Sequence, residues 1–358
     1  MIVYLALYFV IALLGILIFY KGSNDKKKKI FLGIVFGLMV LVMGFRDKSV
    51  GTDTMLYCNI FKHNINLKFS NMWLQNDSSF VYSLYNHVLS FLTHDSSIII
   101  LFNSIIIIYL TLRFIYKSSD NVVISTLLFM LLYHFFHAMN ISRQYIAVMI
   151  IVNAYEYLKK NKCIKYALWV LVATLIHNTA IIALAIIPLG KLKNKKNKTI
   201  FLILFTIMCF SWNYFFGLFI NIFSHYSMYM NSSFIDARGE NKKIIITFIY
   251  FIFQILYLMC KRKITNEDEK KQLEMLYYIN WIAVIIGICS IRTLLLSRIE
   301  VYFSVFNIIY IPKIINLQKD KILYYFVILF LLMVPMIYLL YNGTSGVVPY
   351  SNILFKLN

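Results

Sequence analysis

Between Gly44 and Tyr57 the chain reads GFRDKSVGTDTMLY, which puts two acids, two bases, two glycines and four hydroxyls into fourteen residues. Glycine lets a backbone turn sharply and come close to a ligand, and Ser, Thr and Asp close turns through local hydrogen bonds. Arg46 carries a rigid fork of donors that matches phosphate oxygens. Asp47 and Asp53 are carboxylates able to accept a proton. Other residues of the same kind follow at long intervals: Arg143-Gln144, His177 beside Asn178 and Thr179, Arg292, Arg298 with Glu300, and Tyr350. His177 is the general-base candidate, because an imidazole titrates near working pH. Arginines gathered at one membrane face suit a lipid-linked phosphate or pyrophosphate. The competing reading is an ordinary polar loop with internal pairing, Arg46 to Asp47 or Asp53 and Arg298 to Glu300 or Asp236. His134 and His137, three apart, share a helix face. That spacing can hold a metal, but the intervening Phe135 and Phe136 favour an interface role.

The elements that must position these residues are membrane helices. The 358 residues are 61% hydrophobic and 14% charged, against roughly half and a quarter in soluble domains. Apolar runs recur at Ile2–Tyr20, Ile30–Phe45, Ser96–Tyr116, Val122–His137, Ile141–Leu158, Ile164–Leu189, Thr199–Phe223, Ile244–Cys260, Leu276–Ile291, Leu294–Ile315 and Ile322–Tyr341. They are continuous and not alternating, which excludes a transmembrane β-barrel. The first run lacks the basic start and cleavage site of a signal peptide. The expectation is an all-α, polytopic membrane protein forming one domain over residues 1–358, with about ten full spans and a re-entrant helical hairpin at 164–189. The five cysteines are scattered without metal-ligand spacing and read as buried structural thiols. No cofactor or metal motif is evident.

Orientation follows from lysine and arginine, which collect in cytoplasmic loops. The net charge of +20 is explained this way and not by nucleic acid. Lysines cluster at Lys21–Lys29, Lys159–Lys165 and Lys191–Lys198. Only one apolar run separates the last two clusters, so both lie inside only if Ile164–Leu189 enters, turns near Thr174–Thr179 and returns. Non-helical backbone at membrane depth needs protein or a water-filled cavity around it. Residues 46–95 then form an external loop with an amphipathic helix at Phe80–Leu92, and residues 224–243 a second external loop. Arg46, Asp47, Asp53, His134, His137, Arg143, Gln144, His177, Arg292, Arg298, Glu300 and Tyr350 all fall on the outer side. Trp73, Tyr82, Tyr85, Tyr226 and Tyr229 could stack on sugars there, although an interfacial aromatic belt is the favoured reading for them.

Arg46-Asp47 followed by Gly51-Thr52-Asp53-Thr54-x-x-Tyr57 resembles the signature of the EpsG family of Wzy-like polysaccharide polymerases. Ser142-Arg143-Gln144-x-x-Ala147 is similar to the family's Arg-Gln helix start. Ala173–Ala180 is similar to its histidine hairpin, Arg298-x-x-x-Tyr302-Phe303 to its late arginine helix, and Pro349-Tyr350 to its C-terminal end. One departure stands out: members often carry a glutamate in the helix after the first external loop, and here the nearest acid is Asp77. The resemblance implies a glycosyltransferase-C-like fold. It also implies polymerisation, at the outer leaflet of the bacterial cytoplasmic membrane, of oligosaccharide units carried on undecaprenyl pyrophosphate. His177, Asp53 and Asp47 would be the catalytic candidates. Arg46, Arg143, Gln144, Arg292, Arg298, Glu300, Tyr57, Tyr302 and Tyr350 would hold the substrate. Membrane lipids, a chain-length regulator and a flippase are the expected partners. A flippase or exporter of the lipid-linked unit, or an O-antigen-ligase-like transferase, are the alternatives. The internal repeats common in transporters are not visible.

Overall fold

The structure is a computed structural model that describes residues 1–65, 67, 80–192, 194–211, 214, 244–291 and 294–354. Arg292, Trp73, Asp77, Tyr226, Tyr229 and the expected external loop at 224–243 lie outside the described residues. Among the described residues the regular structure is helical, and the β pairing is one isolated antiparallel bridge between Arg46 and Asn352.

The helices are α1 (Ile2–Phe19), α2 (Asp25–Gly44), α3 (Thr54–Ile65), α4 (Phe80–Ser90), α5 (Ser97–Ser118), α6 (Val122–Leu131), α7 (His134–Asn140), α8 (Ser142–Lys159), α9 (Cys163–Thr174), α10 (Ile186–Lys191), α11 (Lys195–Phe210), α12 (Ile244–Cys260), α13 (Glu267–Cys289), α14 (Leu294–Ser304), α15 (Asn307–Asn316) and α16 (Lys321–Tyr341). Asparagine starts several of them. Asn24, Asn121, Asn194 and Asn266 each turn a side-chain oxygen onto backbone N–H groups of the first turn, which would otherwise be orphaned.

Five helices are long and apolar enough to cross a membrane, or seven if each bent pair counts as one span. The other runs expected to span do not meet that measure of length and apolarity among the described residues, for reasons of charge and length. α2 begins with a run of four lysines, α8 carries Arg143, Glu156 and Lys159, and α11 has 16 residues. The run Val122–His137 is broken between α6 and α7 by a 57° bend. Tyr133 sits at the break with φ +69°, a conformation uncommon for a residue with a Cβ. Its phenol donates to Thr344 O at 2.7 Å, and its ring packs on Phe136 and His137. The run Ile164–Leu189 is also broken. α9 ends at Thr174, Leu175–His177 turns, and a 3₁₀ helix (Asn178–Ala185) leads into α10. The break falls where polar residues interrupt the apolar pattern.

The described chain divides into two compact units. The first comprises Met1–Glu156, Ile164–Ile181 and Tyr325–Asn358, the second Tyr157–Cys163 and Ile182–Tyr324. In the first unit, α1 and α16 bury only 28% and 22% of their apolar windows. Phe9, Leu13 and Leu17 on α1, and Phe326, Phe330 and Val334 on α16, stand exposed, as lipid-facing side chains do. α5 packs on α2 at the core. α4 does not lie as a simple surface helix: Tyr82, Asn86 and Leu89 are buried against α3 and α5. In the second unit α12, α13 and α15 are joined by side-chain amides. Gln254 Nε2 donates to Tyr277 O (2.9 Å), Tyr310 Oη to Gln254 Oε1 (3.1 Å), Asn280 Nδ2 to Tyr250 O (3.0 Å) and Asn307 Nδ2 to Asn280 Oδ1 (3.0 Å). Such bonds hold helices together where lipid supplies no hydrophobic drive.

Candidate functional site

The loop after α2 is built around Arg46, which is 1% exposed. Its guanidinium donates to Met43 O, to Val50 O (Nε, 3.3 Å), to Met139 O (2.6 Å) and to Ser104 Oγ (3.4 Å). One side chain thus joins the end of α2, the loop, α5 and α7. Burial pushes its pKa down to about 10, which leaves it charged at neutral pH. All three guanidinium nitrogens donate to the protein's own oxygens, so in this structure Arg46 is the clamp that shapes the loop.

The C-terminal tail closes the same node. Asp47 N donates to Ser351 O (2.9 Å) and Ile353 N to Phe45 O (2.9 Å), while Gly51 N donates to Gly346 O (2.8 Å). The half-buried Tyr350 donates from Oη to Val42 O at 3.0 Å. Gly51 has φ +97°, and a Cβ there would lie 2.6 Å from Thr54 Oγ1 and 3.0 Å from Met139 O. Only glycine satisfies both the conformation and the space. His137 Nδ1 meets Ser345 Oγ at 3.1 Å and His134 Nδ1 meets Tyr145 Oη at 2.8 Å, which gives both histidines the interface role expected of them.

Past this clamp a second set of residues is only half-buried: Asp53, Arg143 and His177. Asn140 joins Asp53 to the start of α8, since its Oδ1 accepts from Asp53 N (2.7 Å) and Thr52 Oγ1 (2.9 Å). Three residues on, Arg143 lies over the Tyr82 ring, 5.3 Å from its centroid, and its Nε donates to Ile176 O at 3.1 Å. That carbonyl belongs to the turn carrying His177, whose Nδ1 meets Thr179 Oγ1 at 2.8 Å. Tyr57 packs edge-on against Tyr82 at 6.3 Å, and burial pushes the Tyr82 phenol up to about 12, so it stays neutral. Asn103 Nδ2 reaches Tyr82 Oη (3.4 Å) and Ser142 Oγ (3.1 Å). The structure therefore places a guanidinium, an imidazole turn and a neutral phenol ring in one cluster, with the Asp53 loop tied to it through Asn140.

Asp47 faces its own loop: its Oδ1 accepts from Ser49 N (2.9 Å) and Ser49 Oγ (2.7 Å). Gln144 is buried. Arg298, Glu300 and Tyr302 lie on α14 in the second unit, the first two half-buried and Tyr302 fully buried. Asn140 and Asn103 were not among the residues singled out from the sequence. Asn140 had a signal, a lone amide two residues before Ser142-Arg143 and between apolar runs. Asn103, inside an isoleucine-rich helix, had none.

A profile of the EpsG family matches residues 29–352, from the second turn of α2 to the tail residue that pairs with Arg46. No curated protein and no solved structure matches the chain. The match covers nearly the whole sequence and contains the clamp, the tail and the Arg143–His177 cluster alike; the chain belongs to the EpsG family.

Proposed function

We propose that this protein polymerises oligosaccharide repeat units carried on a polyprenyl pyrophosphate, most simply undecaprenyl pyrophosphate, into a surface polysaccharide. The observation that supports it best is the hydrogen bond from Arg143 to the His177 turn, which holds a cation beside a base over an aromatic ring. In this reading the growing chain and its pyrophosphate carrier form the donor. A hydroxyl of a fresh lipid-linked unit attacks the donor's anomeric carbon. The bond from that carbon to the pyrophosphate oxygen breaks, and its electrons leave with the pyrophosphate. Arg143 stabilises the charge that builds on the leaving group. His177 takes the proton of the attacking hydroxyl, with Asp53 as the carboxylate nearest in the chain's own wiring. Arg292, Arg298, Glu300 and Tyr302 enter this reading through the resemblance. The lysine distribution supports an outward-facing site.

The test is in vitro. Purified protein in detergent is mixed with lipid-linked repeat units alone, and the products are separated on a gel. A ladder is the expected result, lost in Arg143→Ala and His177→Ala while both variants elute as the wild type does. Full-length polymer from both variants removes the site. No ladder from the wild type, with units trapped at the cytoplasmic leaflet of a deletion strain, replaces polymerisation by flipping.

A further inference from the structure

The second unit holds a cavity of about 470 Å³ whose walls include Lys195, Lys261, Arg262, Lys270, Tyr257 and Tyr277, a size typical of small-molecule sites. The one acid of its wall, Glu274, is occupied: Lys198 Nζ lies 3.1 Å from its Oε1. Lys198 is itself buried and sits 4.9 Å over the centroid of Tyr278. Lys270 pairs with Glu267 at 2.9 Å. Lys195, Lys261 and Arg262 form no ion pair among the described residues. Three exposed cations without an ion-pair partner among the described residues thus line one cavity together with Tyr257 and Tyr277.

Like charges brought together repel, and a concave surface focuses their field. The cytoplasmic preference of lysine explains why bases gather on this side of the membrane. It does not explain why three of them line one cavity unpaired while the wall's other base, Lys270, and its neighbour Lys271 pair along α13 with Glu267 and Asp268. An anion in the cavity does explain it. Basic pockets between helices on the cytoplasmic side are suited to phosphorylated groups. The fork of Arg262 matches phosphate oxygens.

We propose that this cavity is a binding site for a phosphate-bearing anion, separate from the Arg143–His177 cluster. Lys195, Lys261 and Arg262 supply the charge. Lys198 pairs with Glu274, the acid of the wall, at 3.1 Å. The same chemistry is offered by an anionic lipid headgroup and by a free diphosphate.

The full-length protein in a neutral detergent is titrated with inorganic pyrophosphate by calorimetry and, separately, with dioleoylphosphatidylglycerol by native mass spectrometry. Dioleoylphosphatidylcholine is the reference. Saturable binding of at least one anion is expected, weakened by salt and weakened about tenfold or more in the triple variant Lys195→Gln/Lys261→Gln/Arg262→Gln. Lys261→Arg alone keeps the charge and is expected to bind as the wild type does, which separates lost charge from lost fold. Lipid binding that pyrophosphate cannot displace identifies the headgroup as the source; binding of pyrophosphate, or displacement by it, identifies the free diphosphate. Equal binding by wild type and triple variant, or no preference for either anion over phosphatidylcholine, overturns the site.

Discussion

Replacing Arg46 separates two roles that the residue type allows. Arg46→Met keeps an unbranched chain and removes every donor. Met43 O, Val50 O and Met139 O then lose the guanidinium. Val50 O keeps the Thr54 hydroxyl at 2.7 Å, and that hydroxyl reaches Met139 O only at 3.5 Å, so Met43 O and Met139 O are left poorly satisfied. Each costs about 1–3 kcal/mol, roughly 2–6 kcal/mol together, reduced somewhat because a buried charge no longer has to be desolvated. Set against a total stability of about 5–15 kcal/mol, that is a large fraction. Arg46→Met is expected to lower the thermal midpoint measured by fluorescence-detected gel filtration and to expose the loop to protease. Arg46→Lys, with one ammonium in place of the fork, should fall between. A variant Arg46→Met that melts with the wild type, elutes as a single species and makes no polymer would refute the argument. It would show that the guanidinium meets substrate and that the carbonyls do not need it.

Other consequences follow from the same node and its surroundings. Gly51→Ala combines a left-handed backbone with a Cβ 2.6 Å from Thr54 Oγ1 and should cost about 2–4 kcal/mol. Gly22→Ala, at φ +93° with open space around it, should cost only the backbone part, and paired melting curves measure the difference. Tyr350→Phe removes the bond to Val42 O and the acceptor for Asn352 Nδ2; it should destabilise by about 1–2 kcal/mol, whereas a stop after Gly346 should release the 46–54 loop to protease. Lys48, 2.9 Å from Asp95, holds that carboxyl below its ordinary range. The contribution is therefore complete above the unfolded pKa of about 4 and disappears as pH falls through the folded value. Lys48→Gln should weaken this acid-side dependence of the melting curve, leaving the part that Ser97 N–H supplies, while changing stability at neutral pH by less than about 1 kcal/mol, because Asp95 is exposed.

The helices were readable from apolar length, and the break at Leu175–His177 from the polar residues that interrupt it. Which face of each helix meets lipid was not. Apolar residues that face lipid and those that face other helices look alike in a sequence, so the largely buried α8 and the exposed α1 both read simply as apolar runs. The bend at Tyr133 had no signal either. It lies within an unbroken apolar run, and the contacts that hold its positive φ come from Thr344, 211 residues away. The tail's pairing with Phe45–Asp47 is non-local in the same way. Pro349-Tyr350 could be noticed, but nothing nearby says that Tyr350 reaches Val42.

The site divides along a chemical line that sequence cannot draw. A guanidinium satisfies a backbone carbonyl and a phosphate oxygen by the same donation, so Arg46 and Arg143 are indistinguishable until burial is known. Arg46 turns inward and, with Gly51 and Thr54, fixes the loop's shape; Arg143 remains half-buried beside the His177 turn. The first group presents the second: Arg46 binds Met139 O, the next residue, Asn140, takes up Asp53, and Arg143 follows three positions later. A signature of this kind therefore mixes residues that build a site with residues that can act in it. The loop's arginine does the former, and a loss of activity on its replacement would be mediated by the displacement of Asp53 and of the start of α8.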